Sequence, residues 1–514
     1  MNKFEVLKRE TDGLDVLPRI HAHAEAATPV DEIAEDDLIR MKWYGVFHRQ
    51  LTPGHFMMRL RTPGGRMTSL QAEAIATSAR DFGAGDIDIT TRQNVQIRGL
   101  SLENIPEVWR RLELTGMTSM QSGMDNVRNY VGCPLAGLDA DEIYDTTPLL
   151  TALGTAHLGK REYSNLPRKF NVALAGCRDD CGHAIAHDLG FVPATRNVAG
   201  TRTVGFNVLV GSALGGTSPR LGKPLDVFVP PSLVVPLFLA LLRVFRDYGP
   251  REKRTKARLK WLIDERGEEW LRESLEREMA TKLLHAGKDE RTRTAGDHLG
   301  VHRQRQAGMY YVGLHVPVGR MTVDQMLELA RLARVYGNAD IRLTVSQNAI
   351  IATVPEENLK HLLQQPLLTE LRPDPPALWR NLVACTGTDY CHYSLIDTKK
   401  RAVALVTELE ARGVQAADDV RIHISGCVHA CGKHHVADIG LQGANVRVGD
   451  AVIEAADIYK GGRLDGEGRL AEQITQKTPM SELADKMEVL LAQRAVEVAA
   501  GANQVPAGVG KDGS

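Results

Sequence analysis

The chain contains 514 residues, too many for one ordinary domain, and its length predicts roughly three domains. Its hydrophobic content of 43% and charged content of 25% are those of a soluble globular protein. With a formal net charge of -1, the protein has no overall electrostatic attraction to nucleic acid or a membrane, so we expect neither as a partner.

The N-terminal segment and the cysteine content both indicate the cytoplasm. The first ten residues, MNKFEVLKRE, have no apolar stretch behind their charges and do not resemble a secretory signal. The longest apolar run, residues 233–242, is interrupted by Pro236 and is too short to cross a bilayer, so it predicts a buried helix. Seven cysteines without an export signal fit a reducing compartment, where thiols bind metal or stay buried.

An internal duplication organises the chain. RMTSLQ at residues 66–71 recurs as RMTVDQ at residues 320–325, and DIDITTRQN at residues 86–94 recurs as DIRLTVSQN at residues 340–348. Both pairs are separated by 254 residues, so no gap is needed between them. Self-similarity at a fixed spacing indicates repeated structural units.

Each copy predicts a strand, a helix and a second strand. The first strands are expected where apolar residues alternate, at residues 55–62 and 310–317. A threonine followed three positions later by a glutamine is a capping box that predicts a helix start, and glycine favours a left-handed helix end. The residues concerned are Thr68, Gln71 and Gly83 in the first copy, and Thr322, Gln325 and Gly337 in the second.

A second block repeats at nearly the same spacing. RNYVGC at residues 128–133 aligns with RNLVAC at 380–385, GCRDDCG at 176–182 with GCVHACG at 426–432, and DLG at 188–190 with DIG at 438–440. Each half therefore consists of a small β-α-β module followed by a larger mixed module. We predict an α+β fold of mixed α/β modules, tandem-duplicated in three domains with pseudo-twofold symmetry, and a ligand site at the domain junction.

Four cysteines in the second half form two close pairs, C-x5-C and C-x3-C. Four thiolates match the ligand count of an iron–sulfur cluster, and we predict a [4Fe-4S] cluster on them. Zinc also accepts four cysteines, but its paired ligands are usually two to four residues apart; buried inert thiols are the other alternative. We expect the second pair at a helix start, on one face. The predicted ligands are Cys385, Cys391, Cys427 and Cys431.

The first half keeps three of these four positions, as Cys133, Cys177 and Cys181. Asp139 stands where the second half has Cys391. A carboxylate is a harder and less common iron ligand, so we predict a degenerate copy with buried thiols rather than a second cluster. An iron content of about eight per chain would contradict this prediction.

Histidines near the predicted cluster site could offer an axial ligand to a haem, but histidines near a helix end are more often hydrogen-bonded bystanders. Four histidines surround the predicted cluster site and are expected to be hydrogen-bonded bystanders: His423, His429, His434 and His435. The nearest approach to a dinucleotide fingerprint, Gly211-x3-Gly215-Gly216 after a strand at residues 204–210, has the wrong spacing. We therefore expect electrons to come from a protein and not from NADH.

Several stretches match one known family: ACTG at residues 384–387, SGC at 425–427, TTRQ at 90–93, DNVRN at 125–129 and LPRKFN at 166–171. In this combination the chain resembles the sirohaem-dependent nitrite and sulfite reductases, and among them the ferredoxin-dependent assimilatory nitrite reductases. The similarity runs from about Trp43 to about Met487. The combination is specific, although any single stretch would be weak.

The resemblance implies a sirohaem packed against the cluster, with the Cys431 thiolate as the bridge and no cluster in the first half. It places Arg92, Arg128 and Lys169 in the substrate-binding positions; the alternative is that they are surface or carboxylate-paired cations. Arg92 is replaced by Ser346 in the second copy, which indicates that one half has specialised.

The eight carboxylates of sirohaem need further cations, and we assign Arg168 and Arg258 to them. The basic run at residues 251–258 is alternatively a docking site for acidic ferredoxin.

The position of Asn171 distinguishes the two kinds of enzyme in this family. The sulfite reductases commonly have a second lysine there, whereas the nitrite reductases have asparagine. Sulfite carries more negative charge than nitrite, so a pocket with one cation fewer favours nitrite. The implied reaction is the six-electron reduction of nitrite to ammonium by a monomer that receives electrons from reduced ferredoxin. Sulfite reduction, oxidation of a corrin precursor and a non-catalytic electron carrier are the alternatives.

With the family in view, the predicted organisation has six parts. They are an irregular N-terminal arm (1–40), a ferredoxin-like half-domain (41–118), a sirohaem-binding domain (119–290), a second half-domain that pairs with the first (300–372), an iron–sulfur and sirohaem domain (373–498) and a disordered tail (499–514).

Overall fold

A computed structural model of the protein describes residues 2–292 and 296–502. The described residues form four β-sheets with helices packed on them, in two consecutive sets of the same design. The mixed, duplicated fold predicted from the sequence is confirmed. None of the helices in the described ranges has both the length and the apolar character that a bilayer crossing requires.

The N-terminal segment is helical, so the prediction of an irregular arm is wrong. It contains α1 (Lys3–Glu10), α2 (Leu17–Glu25) and α3 (Glu35–Arg40). The Asn2 side chain caps α1 by accepting hydrogen bonds from the backbone N–H groups of Phe4 and Glu5. Leu7 and Ile20 are buried against the core of the half-domains. This tertiary packing stabilises short helices that would be marginal alone.

The rest of the first half supplies eleven strands and six helices to the described fold. The half-domain contains β1 (Val46–His48), β2 (Phe56–Arg59), β3 (Arg66–Thr68), α4 (Ser69–Phe82), β4 (Ile87–Ile89), β5 (Val95–Leu100) and α5 (Ile105–Glu113). The mixed module contains β6 (Val127–Gly132), α6 (Thr147–His157), β7 (Phe170–Leu174), β8 (Leu189–Val198), β9 (Thr201–Val210), β10 (Lys223–Val229), α7 (Pro231–Tyr248), α8 (Leu259–Arg266), α9 (Glu268–Met279) and β11 (Lys288–Asp289). The apolar run at residues 233–242 lies in α7, as predicted.

The second half repeats this order. Its half-domain contains β12 (Gly300–Arg303), β13 (Met309–Leu314), β14 (Arg320–Met321), α10 (Val323–Tyr336), β15 (Asp340–Leu343), β16 (Ala349–Pro355), α11 (Glu356–Leu363) and α12 (Leu367–Glu370). Its mixed module contains α13 (Ala377–Arg380), β17 (Leu382–Ala384), α14 (Thr398–Ala411), β18 (Ile422–Ser425), β19 (Ile439–Val448), β20 (Ala451–Lys460), β21 (Glu472–Pro479) and α15 (Leu483–Ala502).

The two half-domains exchange a strand, which makes them one structural unit. Their sheets have the orders β1-β2-β5-β4-β14 and β12-β13-β16-β15-β3, so each sheet ends in a strand of the other copy. Met321 pairs with Ile87 across one exchange, and Met67 pairs with Ile341 across the other. Apolar side chains of both copies share one core. The predicted pairing and pseudo-twofold symmetry follow from this exchange.

Both predicted capping boxes are present. Thr68 and Gln71 exchange hydrogen bonds at the start of α4, and Thr322 and Gln325 do so at the start of α10. The helices end at the predicted glycines, but not in the left-handed conformation, since both glycines have extended backbones.

Close contact with a neighbouring strand explains these two glycines. A Cβ on Gly83 would lie 2.6 Å from the Arg98 carbonyl oxygen, and one on Gly337 would lie 2.6 Å from that of Ala352. Glycine is therefore needed for a close approach of backbones and not for a positive φ.

The two mixed modules each contain one sheet that is parallel at one end. The first has the order β10-β9-β8-β7-β6, with β11 added to β8, and the second has the order β17-β18-β19-β20-β21. Strands β6, β7 and β8 are parallel, as are β17, β18 and β19. Loops at the carboxyl ends of parallel strands are frequent ligand sites, and these loops carry the cysteines.

The C-terminal prediction is wrong for its first residues, because α15 continues to Ala502 and includes residues 499–502 of the predicted tail. Residues 503–514 lie outside the described residues. The predicted domain boundaries stay predictions.

Candidate active site

A large cavity lies between the first half-domain and the two mixed modules. Its empty space, including its open mouth, is about 1650 Å³. Its walls come from the loop between β4 and β5, from β6, from the residues before β7 and from the loops after β17 and β18. The cavity thus joins the first copy to the cysteine loops of the second.

The walls of this cavity are strongly cationic. Ten of the described lining residues are lysine or arginine, and one, Asp88, is a carboxylate. Arg98 binds Asp88 at 2.8 Å, so even this negative charge is compensated. Such a cavity fits a ligand that carries several negative charges. The cations are Lys42, Arg49, Arg59, Arg92, Arg98, Arg128, Arg168, Lys169, Arg254 and Lys399.

The structure brings Arg92, Arg128 and Lys169 into this one cavity. Backbone carbonyl oxygens of Ser122 and Met124 hold the Arg128 guanidinium at 2.7 and 2.8 Å, while its Nε atom is buried without a hydrogen-bond partner among the described residues. Arg92 and Lys169 form no side-chain hydrogen bond or ion pair within the described ranges. Three cationic groups thus keep hydrogen-bonding capacity for a ligand.

Burial destabilises the charged form of all three groups. It lowers the pKa of the Lys169 ammonium well below its ordinary value, and the Arg258 and Arg92 guanidinium groups lower it further. Burial is also the main cause that lowers the pKa of Arg92 and of Arg128. Anion binding relieves this unfavourable clustering of like charges.

Arg168 lines the same cavity, 3.8 Å from the Asp125 carboxylate. Burial and the neighbouring Arg254 lower the pKa of Arg168 to about 10. Arg168 therefore lies in the cavity wall with only a weak ion-pair partner.

Asn171 and Arg258 are not among the described residues that line the cavity. Both bind the fully buried carboxylate of Asp188 instead. Arg258 makes a bidentate pair with it at 2.8 and 2.7 Å, and Asn171 donates its backbone N–H and its Nδ2 to it at 2.8 and 2.9 Å. The Asn171 Oδ1 atom is buried without a hydrogen-bond partner among the described residues.

The four predicted cluster ligands all line the cavity, from the loops after β17 and β18. Cys427 and Cys431 lie in consecutive turns and not at a helix start, so that part of the prediction is wrong. The Gly426 backbone N–H donates to the Cys385 sulfur at 3.2 Å. The Thr91 hydroxyl donates to the Cys431 carbonyl at 2.9 Å, so the first half-domain contacts the cysteine loop directly.

The three cysteines of the first half have a different arrangement. They are buried, as predicted, and their sulfur atoms lie within 4.8 Å of one another, the only such cysteine group among the described residues. The four cysteines of the second half are more widely spaced, which suits a cluster of several irons better than a single ion. Asp139 accepts a hydrogen bond from the Asp141 backbone N–H.

Of the four histidines near the cysteines, His429 lines the cavity, with Nδ1 3.3 Å from the Cys427 sulfur. The other three are buried. Burial lowers the pKa of His423 to about 3 and that of His435 to about 4, so both rings are neutral near pH 7.

Sequence reasoning missed several cavity cations and Asp188. Arg59 and Arg98 line the cavity, and their counterparts in the second copy are Gly313 and Ala352. A search for cations that occur in only one of the two copies, as Arg92 does, would have found both. The repeated Asp188-Leu189-Gly190 motif would have indicated a buried carboxylate in each half.

Two family profiles match this chain. The Nitrite and sulphite reductase 4Fe-4S domain matches residues 123–283 and 377–496. The Nitrite/Sulfite reductase ferredoxin-like half domain matches residues 48–114 and 302–367. Each profile therefore matches once in each half of the duplication.

Whole-chain relatives agree with the profiles. The ferredoxin–nitrite reductase of Synechococcus elongatus is 46% identical over 504 residues, covering 96% of each chain. The chloroplastic ferredoxin–nitrite reductase of Spinacia oleracea is 41% identical, covering 96% of this chain and 85% of the relative. The solved Mycobacterium tuberculosis NirA protein superposes with a TM-score of 0.88 at 32% identity, covering 95% of this chain and 92% of its own. The chain belongs to the nitrite and sulfite reductase family.

Proposed function

We propose that this protein is a ferredoxin-dependent nitrite reductase, in which six electrons and eight protons convert nitrite into ammonium and two water molecules. The observation that carries the proposal is the cationic cavity, whose walls combine ten lysines and arginines with four cysteines. Relatives that span nearly the whole chain are ferredoxin–nitrite reductases.

The residues fit a sirohaem and a [4Fe-4S] cluster. Cys385, Cys391, Cys427 and Cys431 offer the cluster four soft ligands, and Cys431, at the contact with the first half-domain, would be shared with the sirohaem. Arg168 and the cavity cations other than Arg92, Arg128 and Lys169 would bind the sirohaem carboxylates. When bound, these groups supply the electrons and the iron at which nitrite is reduced.

Arg258 would act from outside the cavity. Its guanidinium already binds Asp188, which also binds Asn171. Asn171 lies two residues after Lys169, so Arg258 and Asp188 would position both residues rather than contact the sirohaem.

Arg92, Arg128 and Lys169 would bind nitrite and exclude water from it. Removing an anion from water is costly unless fixed charges replace its hydration, and pre-oriented cations do so without further reorganisation. The backbone carbonyls that hold Arg128 fix the direction of its fork.

Lys169 would also deliver protons. Burial and the neighbouring guanidinium groups lower the pKa of its ammonium, so the group releases a proton more readily than an exposed lysine does. Arginine cannot replace this role, because its guanidinium retains its proton far more strongly.

Asn171 would favour nitrite over sulfite. A neutral amide at this position gives the pocket one cation fewer than a lysine would, which suits the nitrite monoanion. With Nδ2 already bound to Asp188, Oδ1 and the remaining amide hydrogen are the groups left for the substrate side.

We assign the protein to nitrate assimilation in the cytoplasm, as a monomer that docks transiently with reduced ferredoxin. Lys253 and Lys256 in the basic run are exposed and are suited to an acidic partner, whereas Arg254 is bound to Asp125. Weaker turnover with ferredoxin at higher salt, with viologen turnover unchanged, would support this docking.

Two assays on the purified holoprotein test the proposal. A visible spectrum with a Soret band and a red band is expected from sirohaem and excludes a simple electron carrier. Reduced viologen should support faster turnover of nitrite than of sulfite. A higher kcat/KM with sulfite would instead establish sulfite reduction.

A further inference from the structure

The three cysteines of the first half form a compact group away from the proposed reaction. Cys133 follows β6, and Cys177 and Cys181 follow β7. These loops correspond to the cluster loops of the second half, so the backbone scaffold that presents sulfur ligands is retained. None of the three lines the cationic cavity as far as the chain is described.

The spacing of the sulfurs fits one ion. All three lie within 4.8 Å of one another, and the Cys177 and Cys181 sulfurs are 3.5 Å apart. Zinc–sulfur bonds of about 2.3 Å in a tetrahedral site place sulfur atoms about 3.8 Å apart. A cluster of four irons would separate them further, and Asp139, at the fourth position, caps a turn at Asp141.

Backbone N–H groups donate hydrogen bonds to two of the three sulfurs. The Leu135 N–H donates to the Cys133 sulfur, and the Cys181 N–H donates to the Cys177 sulfur, both at 3.4 Å. These hydrogen bonds stabilise thiolates, the form that binds metal. The surroundings are otherwise apolar, with Leu135, Leu138 and Ile350 in the same buried cluster.

His298 is the candidate for a fourth ligand. The Nε2 atom of His298 is buried and has no hydrogen-bond partner among the described residues. The His298 backbone packs on Gly313, two residues along β13 from Tyr311, which belongs to the same buried cluster as the three cysteines. His298 stands outside the 4.8 Å group, so its ring would have to approach the sulfurs when the metal binds. Three cysteines and one histidine are a common ligand set of structural zinc.

We infer that Cys133, Cys177 and Cys181 bind one zinc ion, with His298 as the fourth ligand, and that this site stabilises the first half. The three thiols release their protons on binding. A separate solvent-facing cavity, lined by Cys133, Gly64 and Thr147, offers an approach for the ion. The site is independent of nitrite chemistry.

Metal analysis of the purified holoprotein tests this inference. After growth with zinc and removal of loosely bound ions on a chelating resin, we expect about one zinc per chain beside about five irons. Cys177→Ser should lower the zinc content at least tenfold and leave the iron content unchanged. Leu135→Ala, which perturbs the same buried cluster without removing a sulfur, should retain zinc.

X-ray absorption at the zinc edge gives a second readout. Three sulfurs at about 2.3 Å and one nitrogen at about 2.0 Å are expected, and His298→Ala should replace the nitrogen contribution by oxygen from water. Absence of zinc, zinc that survives Cys177→Ser, or about nine irons per chain, the number for two clusters and one sirohaem, would each overturn the inference. Neither of the two zinc results would affect the proposal that the protein reduces nitrite.

Discussion

The two copies of the sulfur-bearing module use the same scaffold for different purposes. In the second copy, four cysteines line a large cavity, and in the first copy three cysteines are buried among apolar side chains. The cavity cations show the reverse distribution. The first copy has Arg59, Arg92 and Arg98, whereas the equivalent positions of the second copy are occupied by Gly313, Ser346 and Ala352. One copy therefore supplies the soft ligands and the other supplies the charge.

A second cavity is lined by the second-copy counterparts of residues at or near the cationic cavity. Arg380, Arg421 and Asp438 line it, and they are the counterparts of Arg128, Asn171 and Asp188. Among the described lining residues, acidic and basic side chains are equal in number, so this cavity has no net charge. They are Asp297, Asp418, Asp419, Asp438, Asp465 and Glu497 against Arg380, Arg421, Lys460, Arg463, Arg469 and Arg494. The shared architecture therefore does not by itself make a cavity cationic; the side chains that differ between the copies do.

The largest expected effect comes from removing a cluster ligand. Cys385→Ser should abolish the cluster and lower nitrite turnover with reduced viologen by roughly three orders of magnitude, because electrons no longer reach the active site. Iron content and turnover measure this. Cys133→Ser, the equivalent change in the first copy, should keep all the iron. Equal iron losses in both variants would contradict the division between the copies.

Removing the Lys169 charge should have the next largest effect. Lys169→Met should lower kcat/KM for nitrite about 100-fold, comparable to the loss of one pre-oriented electrostatic group, while the visible spectrum is retained. Asp419→Asn changes the equivalent position of the second copy, which is exposed, and should have little effect. A Lys169→Met variant with a normal kcat/KM would show that Lys169 does not take part in nitrite reduction.

Specificity should shift by a smaller amount. Asn171→Lys should raise the kcat/KM ratio of sulfite to nitrite by about tenfold, since one added cation favours the more negative anion. The matched control is Arg421→Lys in the second copy, which should leave the ratio unchanged. No change with Asn171→Lys would show that this position does not select the substrate.

The smallest effect concerns the exchanged strands, whose arginines occupy equivalent positions. Arg320 binds Asp88 and Asp389 at 2.9 Å and is 23% exposed, whereas Arg66 approaches Asp340 at 3.3 Å and is 49% exposed. Arg320→Met should cost about 2 kcal/mol of stability because Asp88 is buried, and Arg66→Met less than about 1 kcal/mol. Thermal unfolding midpoints of the two variants compare these costs. Equal shifts would contradict the asymmetry.

Much of the site was predictable because its signals are local or repeated. The capping boxes gave both helix starts, the cysteine spacing gave the four cluster ligands, and the family resemblance pointed to Arg92, Arg128 and Lys169. The exchanged strands β3 and β14 are two or three residues long and have no sequence signal of their own. Their pairing depends on the other copy, so only the three-dimensional packing reveals it.

The N-terminal helices and the Asp188 contacts escaped prediction for a similar reason. α1 and α2 carry few apolar residues and gain stability from packing on the half-domain core. Arg258 is separated from Asp188 by 70 residues, and nothing local distinguishes it from a surface arginine.

Anomalous X-ray scattering at the iron absorption edge, from crystals of the holoprotein, tests the division of labour most directly. We predict one iron cluster bounded by Cys385, Cys391, Cys427 and Cys431, with a further iron beside Cys431 on the side of the first-copy cations. We also predict no iron signal at Cys133, Cys177 and Cys181. Iron at those three cysteines would show that both copies hold clusters and would contradict the account.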